Sequence, residues 1–170
     1  MKQIMKVSIL VISLLASCGG GDDVSDQSSQ NGQYDFWVSI EKAQEKALDD
    51  GKYIVLDVYA EWCGFCRRMN LETYADQRVQ DALDRYFHPV RINSESERKV
   101  TFLNEDYTQR ELAMNFGVNT LPTTIFISPE GEPIAAQPGF IDADIFHRML
   151  SYVGTESYQN VSFQQYTDSN

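Results

Sequence analysis

Cys63 and Cys66, separated by Gly64 and Phe65, are the residues of this sequence with the most chemistry to offer. They follow an apolar run and stand where a helix should open. Free backbone N–H groups and the helix dipole there favour the thiolate of the first cysteine. The second sits one turn on, near enough to resolve a mixed disulfide. On this reading Cys63 is accessible to solvent and attacks or is attacked, and Cys66 closes the ring. Two other uses of the pair stay open. A zinc site needs four ligands, and beyond these thiols only His88 and His147 could supplement them, with no second C-x-x-C in the chain. A purely structural disulfide would close so short a loop that it would add little stability.

The elements that must hold this pair show in the flanking patterns. Ser39 can cap a helix through Ile40, Ala43, Ala47 and Leu48, with Gly51 at its end. Residues 53–59 (YIVLDVY) form a β-branched and aromatic run of buried-strand length. A helix should open at Cys63 and continue through Met69 and Leu71, and residues 87–92 make a second strand. Thr108 and Glu111 form a capping box ahead of Leu112, Ala113 and Phe116, and Gly117 stops that helix. Residues 123–127 and 132–137 are two more strands, joined by the turn Ser128-Pro-Glu-Gly131. Asp142 caps a last core helix carrying Ile145, Met149, Leu150 and Val153, closed by Gly154. Strands alternating with helices, then a hairpin and a final helix, predict an α/β fold: a central mixed sheet of four to five strands flanked by helices. Residues 93–107 are long for a plain connection, and their KVTFL core suits an extra strand or hairpin. In the tail, residues 155–170, Tyr158, Phe163 and Tyr166 recur at helical spacing, so the tail is expected to dock.

Composition narrows the rest. A chain of 170 residues with 42% hydrophobic residues suits one domain with a real core. Fourteen basic against 25 acidic residues, a net charge of −11, exclude nucleic acid as a partner, because phosphate binding needs a basic face. Two histidines in all make multi-histidine metal sites and catalysis a poor fit. At the amino end, Lys2 and Lys6 precede an apolar run of ten residues, 7–16 (VSILVISLLA). Spanning a bilayer takes about 20 apolar residues, so the run fits a signal peptide. It ends in Leu15-Ala16-Ser17-Cys18, which resembles the bacterial lipobox and makes Cys18 the lipidated residue; an ordinary cleavage site with an incidental cysteine is the alternative. The expected organisation is a lipoprotein signal peptide at 1–17, a lipidated flexible tether at 18–33, a domain at 34–154 and the docked tail. Cleavage before Cys18 leaves 12 basic and 25 acidic residues. It also leaves no spare thiol in an oxidising compartment.

The stretch Asp57-Val-Tyr-Ala-Glu-Trp-Cys-Gly-Phe-Cys66, followed after a helix by Leu121-Pro122-Thr123, resembles the thioredoxin superfamily over roughly residues 37–153. Arg67-Arg-Met69 with Thr73-Tyr74 is similar to the C-terminal domain of the DsbD reductor. Lys99-Val-Thr-Phe102, Glu111-Leu-Ala113 and Phe116-Gly-Val118 are similar to SoxW-type thioredoxins, so the likeness is to the bacterial envelope branch. It implies a thioredoxin-like fold and a thiol–disulfide oxidoreductase, reductase or isomerase, working without cofactor or metal. Cys63 and Cys66 become the redox-active disulfide. Asp57 becomes a buried acid of raised pKa that exchanges a proton with Cys66; an edge-strand acid facing water is the bland alternative. Pro122 would be cis and face the disulfide, with Leu121 offering its backbone to an extended substrate; a trans proline starting a strand is the alternative. Trp62, Gly64 and Phe65 would line the docking surface, although Trp62 could equally be core.

Arg91 stands where thioredoxin carries a lysine near its buried acid, and pairing with Asp57 would oppose the pKa rise. Arg67 and Arg68 read as a solvated face whose charge helps stabilise thiolate; His88 and His147 do not look catalytic. Phe65 replaces the proline of thioredoxin and is closer to the CGYC of the DsbC isomerase. Potentials across the superfamily differ by about 150 mV between thioredoxin and DsbA, and one side chain does not set direction at that resolution. The implied setting is the bacterial cell envelope: a monomer held by a lipid anchor, facing the periplasm, with Gly19 after Cys18 favouring the outer membrane. Its partners would be disulfide-containing exported proteins and a DsbD-type inner-membrane electron donor. A dedicated cytochrome c maturation reductase and a redox-inactive substrate-binding or holdase module are the alternatives.

Overall fold

Ser39 accepts a hydrogen bond from the Lys42 N–H and opens α1 (Ile40–Asp50), which Gly51 closes in the left-handed region at φ 74°. The computed structural model describes residues 34–169, so the expected signal peptide, Cys18 and the whole of the tether lie outside the described residues. Downstream of α1 come β1 (Tyr53–Tyr59), α2 (Gly64–Arg68), which runs into a π-turn (Met69–Thr73), then α3 (Gln77–Tyr86) and β2 (Phe87–Asn93). The second half holds β3 (Lys99–Phe102), β4 (Glu105–Thr108), α4 (Gln109–Asn115), β5 (Thr123–Ile127), β6 (Pro133–Pro138), α5 (Ala143–Gly154) and α6 (Phe163–Ser169).

The central sheet has four strands in the order β2-β1-β5-β6. β1 pairs in parallel with β2 and antiparallel with β5, which pairs antiparallel with β6. β1 is buried on both faces because a helical layer covers each. Ile54, Leu56 and Val58 pack with Ile40, Ala43 and Leu112, on the side of α1 and α4. Tyr53 and Val55 pack with Met69, Val79, Leu83, Phe146 and Leu150, on the side of the π-turn, α3 and α5. Strand alternation puts Asp57 on the second face, with Tyr53 and Val55.

Residues 93–107 do form strands, but as a separate hairpin of β3 and β4 rather than a fifth strand of the sheet. Its backbone is tied to α1: the Thr101 N–H donates to Glu41, the Leu103 N–H to the Gln44 Oε1, and the Gln44 Nε2 to the Thr101 carbonyl. These bonds hold it over the α1 layer, where Val100 and Phe102 join the core. Nothing in the sequence pattern announces α3, whose apolar stripe is only Val79, Ala82 and Leu83 in an otherwise polar segment. Leu71 and Ile145, expected inside, are exposed, and Phe146 fills the core instead. The tail packs on α5: the Tyr152 ring lies 5.3 Å from both Phe163 and Tyr166, and its hydroxyl donates to the Val161 carbonyl at 2.6 Å.

The α3–α5 contact that supports the site closes on Gly154, whose Cα faces the Tyr86 ring; an added Cβ would overlap Tyr86 Cγ and Cβ. Those atoms are near the backbone and cannot swing aside. Alanine gains up to about 1 kcal/mol of helix propensity, but overpacking costs about 1–3 kcal/mol. Gly154→Ala is therefore expected to lower stability by about 1 kcal/mol, read from the urea midpoint.

Candidate active site

β1 ends at Tyr59 and the chain turns through Ala60, Glu61 and Trp62 into Cys63, the N-cap of α2. The Cys63 N–H donates to the Ala60 carbonyl at 3.1 Å, and the Cys63 carbonyl accepts from the Arg67 N–H at 3.2 Å. Cys63 and Cys66 are joined as a disulfide with Cα atoms 5.2 Å apart. The Cys63 Sγ also accepts a hydrogen bond from the Cys66 N–H at 3.1 Å, so a backbone donor already faces the sulfur that would carry charge after reduction.

Cys63 is not the open sulfur the sequence suggests: only 3% of it is exposed. It packs with Ala60 and Cys66 against Tyr59 and Leu121. What stands open beside it is aromatic, with Trp62 66% and Phe65 55% exposed. Trp62 is therefore surface, not core. Its indole Nε1 donates to Glu95 Oε1 at 2.9 Å, which pins the ring from the loop before β3. The Leu121–Pro122 peptide is cis, and Leu121 brings this segment against the disulfide.

The two arginines after the motif differ. Arg67 donates to the Glu61 carbonyl. Arg68 is not a bare solvated charge: it pairs with Glu72 through two hydrogen bonds and lies 4.2 Å over the Phe140 ring. His88 pairs with Asp50 at 3.0 Å, at the far end of β1 from the disulfide.

Asp57 lies on a central strand, 1% exposed, and is not an edge acid facing water. Register sets Arg91 of β2 beside it on one side and Thr124 of β5 on the other. Arg91 Nε approaches Asp57 Oδ2 to 2.9 Å, a contact ion pair whose N–H is not aligned on the oxygen. Burial pushes the Asp57 carboxyl up to about 6, against the opposing pull of Arg91 and of the nearby Tyr74 hydroxyl. Desolvation thus outweighs the ion pair. The Arg91 guanidinium is itself held by Asn70 Oδ1 at 2.8 Å and lies between the Tyr59 and Trp37 rings, 4.4 and 5.4 Å from their centroids. Tyr74, Thr124, Trp37, Asn70 and Glu95 are the residues of this site that sequence reasoning missed. Tyr74 falls within the residues compared with DsbD, but no signal separates a buried hydroxyl from an ordinary core ring.

A cleft of about 610 Å³ opens behind the disulfide, with Trp37, Tyr59, Cys66, Asn70 and Arg91 in its wall. Among the described residues, no helix is long and apolar enough to cross a membrane.

A parallel and antiparallel strand pair, a C-x-x-C at a helix mouth and a cis Leu121–Pro122 peptide define a class. The family model of a thioredoxin-like domain matches residues 40–154, and the chain belongs to that family. It is 29% identical over 135 residues to the thiol:disulfide interchange protein DsbD of Actinobacillus pleuropneumoniae serotype 5b (strain L20), covering 78% of this chain and 22% of that protein. The chain spans roughly a quarter or less of the length of the curated DsbD relatives it matches. It is also similar to the solution structure of a putative disulphide-isomerase from Bacteroides thetaiotaomicron, with a TM-score of 0.55 and 27% identity over 71% of this chain and 90% of that one. The reduced DsbD C-terminal domain of Neisseria meningitidis shares the fold, with a TM-score of 0.50 and 23% identity over 66% and 91% of the two chains.

Proposed function

We propose that this chain is a thiol–disulfide oxidoreductase of the cell envelope that reduces or rearranges disulfides of exported proteins. The observation that carries this is the Cys63–Cys66 disulfide at the mouth of α2, set between exposed aromatic rings and against Leu121. In the reduced protein the Cys63 thiolate attacks one sulfur of a client disulfide, and the other client sulfur leaves as a thiolate that takes up a proton. Cys66 passes its proton to Asp57 and attacks the Cys63 sulfur. The client's second thiolate departs and the Cys63–Cys66 bond re-forms, so the client gains the two electrons the pair loses.

Trp62, Phe65 and the Leu121–Pro122 segment receive the client. The buried Asp57, poised near 6, suits proton exchange near neutral pH. A membrane dithiol donor of the DsbD type would restore the reduced pair. The lipid anchor at Cys18, the spacer at 18–33 and the outer-membrane, periplasm-facing location rest on the sequence pattern of the amino end.

Trapping tests the assignment. Cys66→Ala should accumulate mixed disulfides through Cys63 in envelope extracts, released by dithiothreitol, and the captured proteins name the clients. A variant that captures no more than Cys63→Ala, Cys66→Ala together would reject the exchange mechanism.

A further inference from the structure

We propose that the cleft behind the disulfide is a binding site for a small organic polyanion, one that carries at least two carboxylate or phosphate groups. The site is separate from the exchange chemistry. Neither Trp62 nor Phe65 lines the cleft, so the ligand leaves the client face free.

Positive charge gathers here against the trend of the chain. The sequence holds 14 basic and 25 acidic residues, yet the cleft wall holds Arg67, Arg91, Arg98 and Lys99 against Glu41 and Glu61. Arg91 is taken by Asp57 and Asn70. The other three cations are not taken: among the described residues none of them is in a salt bridge. Arg98 and Lys99 feel the charges of Glu41 and Glu111 only at a distance. A cleft walled by one sign of charge focuses its field on a ligand of the other.

Hydrogen-bonding capacity points the same way. The acceptors of the wall are engaged from within: Glu41 takes the Thr101 N–H and Glu61 takes the Tyr59 hydroxyl. The side-chain oxygens of Asn70 and Gln109 take Arg91 and the Asn93 N–H. The donors are left over. Among the described residues, the amide nitrogens of Asn70 and Gln109, the Arg98 guanidinium and the Lys99 ammonium meet no protein acceptor. Arg67 gives one hydrogen bond, to the Glu61 carbonyl at 3.2 Å. Such a wall offers N–H groups and calls for an acceptor-rich anion. The donors also come from two separate parts of the fold. Arg67 and Asn70 lie on α2 and its π-turn, and Arg98, Lys99 and Gln109 lie just before β3, at its start and at the start of α4. One carboxylate would serve one group of donors; a ligand with two acidic groups serves both. The space, about 610 Å³, matches small-molecule sites. It adjoins the carboxyl ends of the parallel strands β1 and β2, the end at which open α/β sheets take their ligands.

The probe is citrate, a tricarboxylate, titrated into the full chain by calorimetry at about 20 mM salt, where screening is weak. Wild type should show one saturable site with a Kd on the order of 1 mM or below, and acetate should bind about tenfold more weakly or worse. Arg98→Gln with Lys99→Gln should weaken citrate about tenfold, and Arg67→Gln, on the other group of donors, about threefold. All three side chains are exposed, so the variants keep the fold. Arg85→Gln, on α3 and outside the cleft wall, should change nothing. Citrate that binds the cleft variants as tightly as wild type, or that Arg85→Gln weakens as much, sits elsewhere and overturns the proposal. No saturable heat up to about 10 mM citrate also overturns it; if an Asp-rich peptide then binds, the cleft belongs to an acidic protein segment instead.

Discussion

Cys63→Ser is expected to abolish reduction of insulin disulfides, slowing turnover on the order of a thousandfold or more, while the protein stays folded. A hydroxyl cannot take the place of a thiolate in disulfide exchange, so the chemical loss is complete. The structural loss is small. Cys63 is the N-cap of α2 and accepts the Cys66 N–H, and serine is among the best residues for that position. The cross-link it removes spans a sequence separation of three, too short a loop to contribute much. Cys66→Ser should behave differently, keeping the first exchange and stalling at the mixed disulfide. Insulin turbidity with a dithiol reductant reads the first effect and the thermal midpoint reads the second. Wild-type turnover in Cys63→Ser would remove the redox account.

Asp57→Asn should gain on the wild type as pH rises. The native carboxyl is raised to about 6 from an ordinary 3.8, by burial first, with Arg91 opposing. Between those values the folded protein holds a proton that the unfolded chain has released, so wild-type stability falls as pH rises through that window. Two pK units at about 1.4 kcal/mol each make the change about 3 kcal/mol. Asparagine does not titrate, and leaving Arg91 without its carboxylate costs the same at every pH, since Asn70 and two rings still hold the guanidinium. The stability gap between variant and wild type should therefore move by about 2.4 kcal/mol toward the variant from pH 4, where the unfolded carboxyl is already partly ionised, to pH 7.5. Urea denaturation at the two pH values measures it. A gap independent of pH would mean that Asp57 titrates as it does in the unfolded chain.

Local features were legible in the residues. Ser39, Gly51 and the Thr108–Glu111 box mark helix ends because capping acts within four positions. The run 53–59 reads as a buried strand because both faces are apolar around one acid. What escaped depends on register and on approach from far along the chain. Only strand pairing sets Thr124 and Arg91 on either side of Asp57, and only the tertiary fold brings Glu95 to the Trp62 indole. The burial of Cys63 escaped for the same reason, since Leu121 reaches it across 58 positions of sequence. α3 was hidden by its composition, because three small or branched apolar residues in ten make a weak periodic signal.

One feature at the amino end of the fold bears on where the functional unit starts. Tyr34, Phe36 and Trp37 precede residue 40, where the family match begins, yet they are wedged onto the floor of the site. The Tyr34 hydroxyl donates to the Asn70 carbonyl at 2.8 Å, the Tyr34 ring stacks on Phe36 at 5.1 Å, and Phe36 packs at a tilt on Trp37 at 4.8 Å beside Tyr74. A recombinant fragment trimmed at the homology border would shed this aromatic wedge, and bulk solvent would flood the strand row beneath it. Tyr74 and Arg91 would lose the rings that pack on them, so the shortest piece that preserves the surroundings of the acid begins no later than Tyr34.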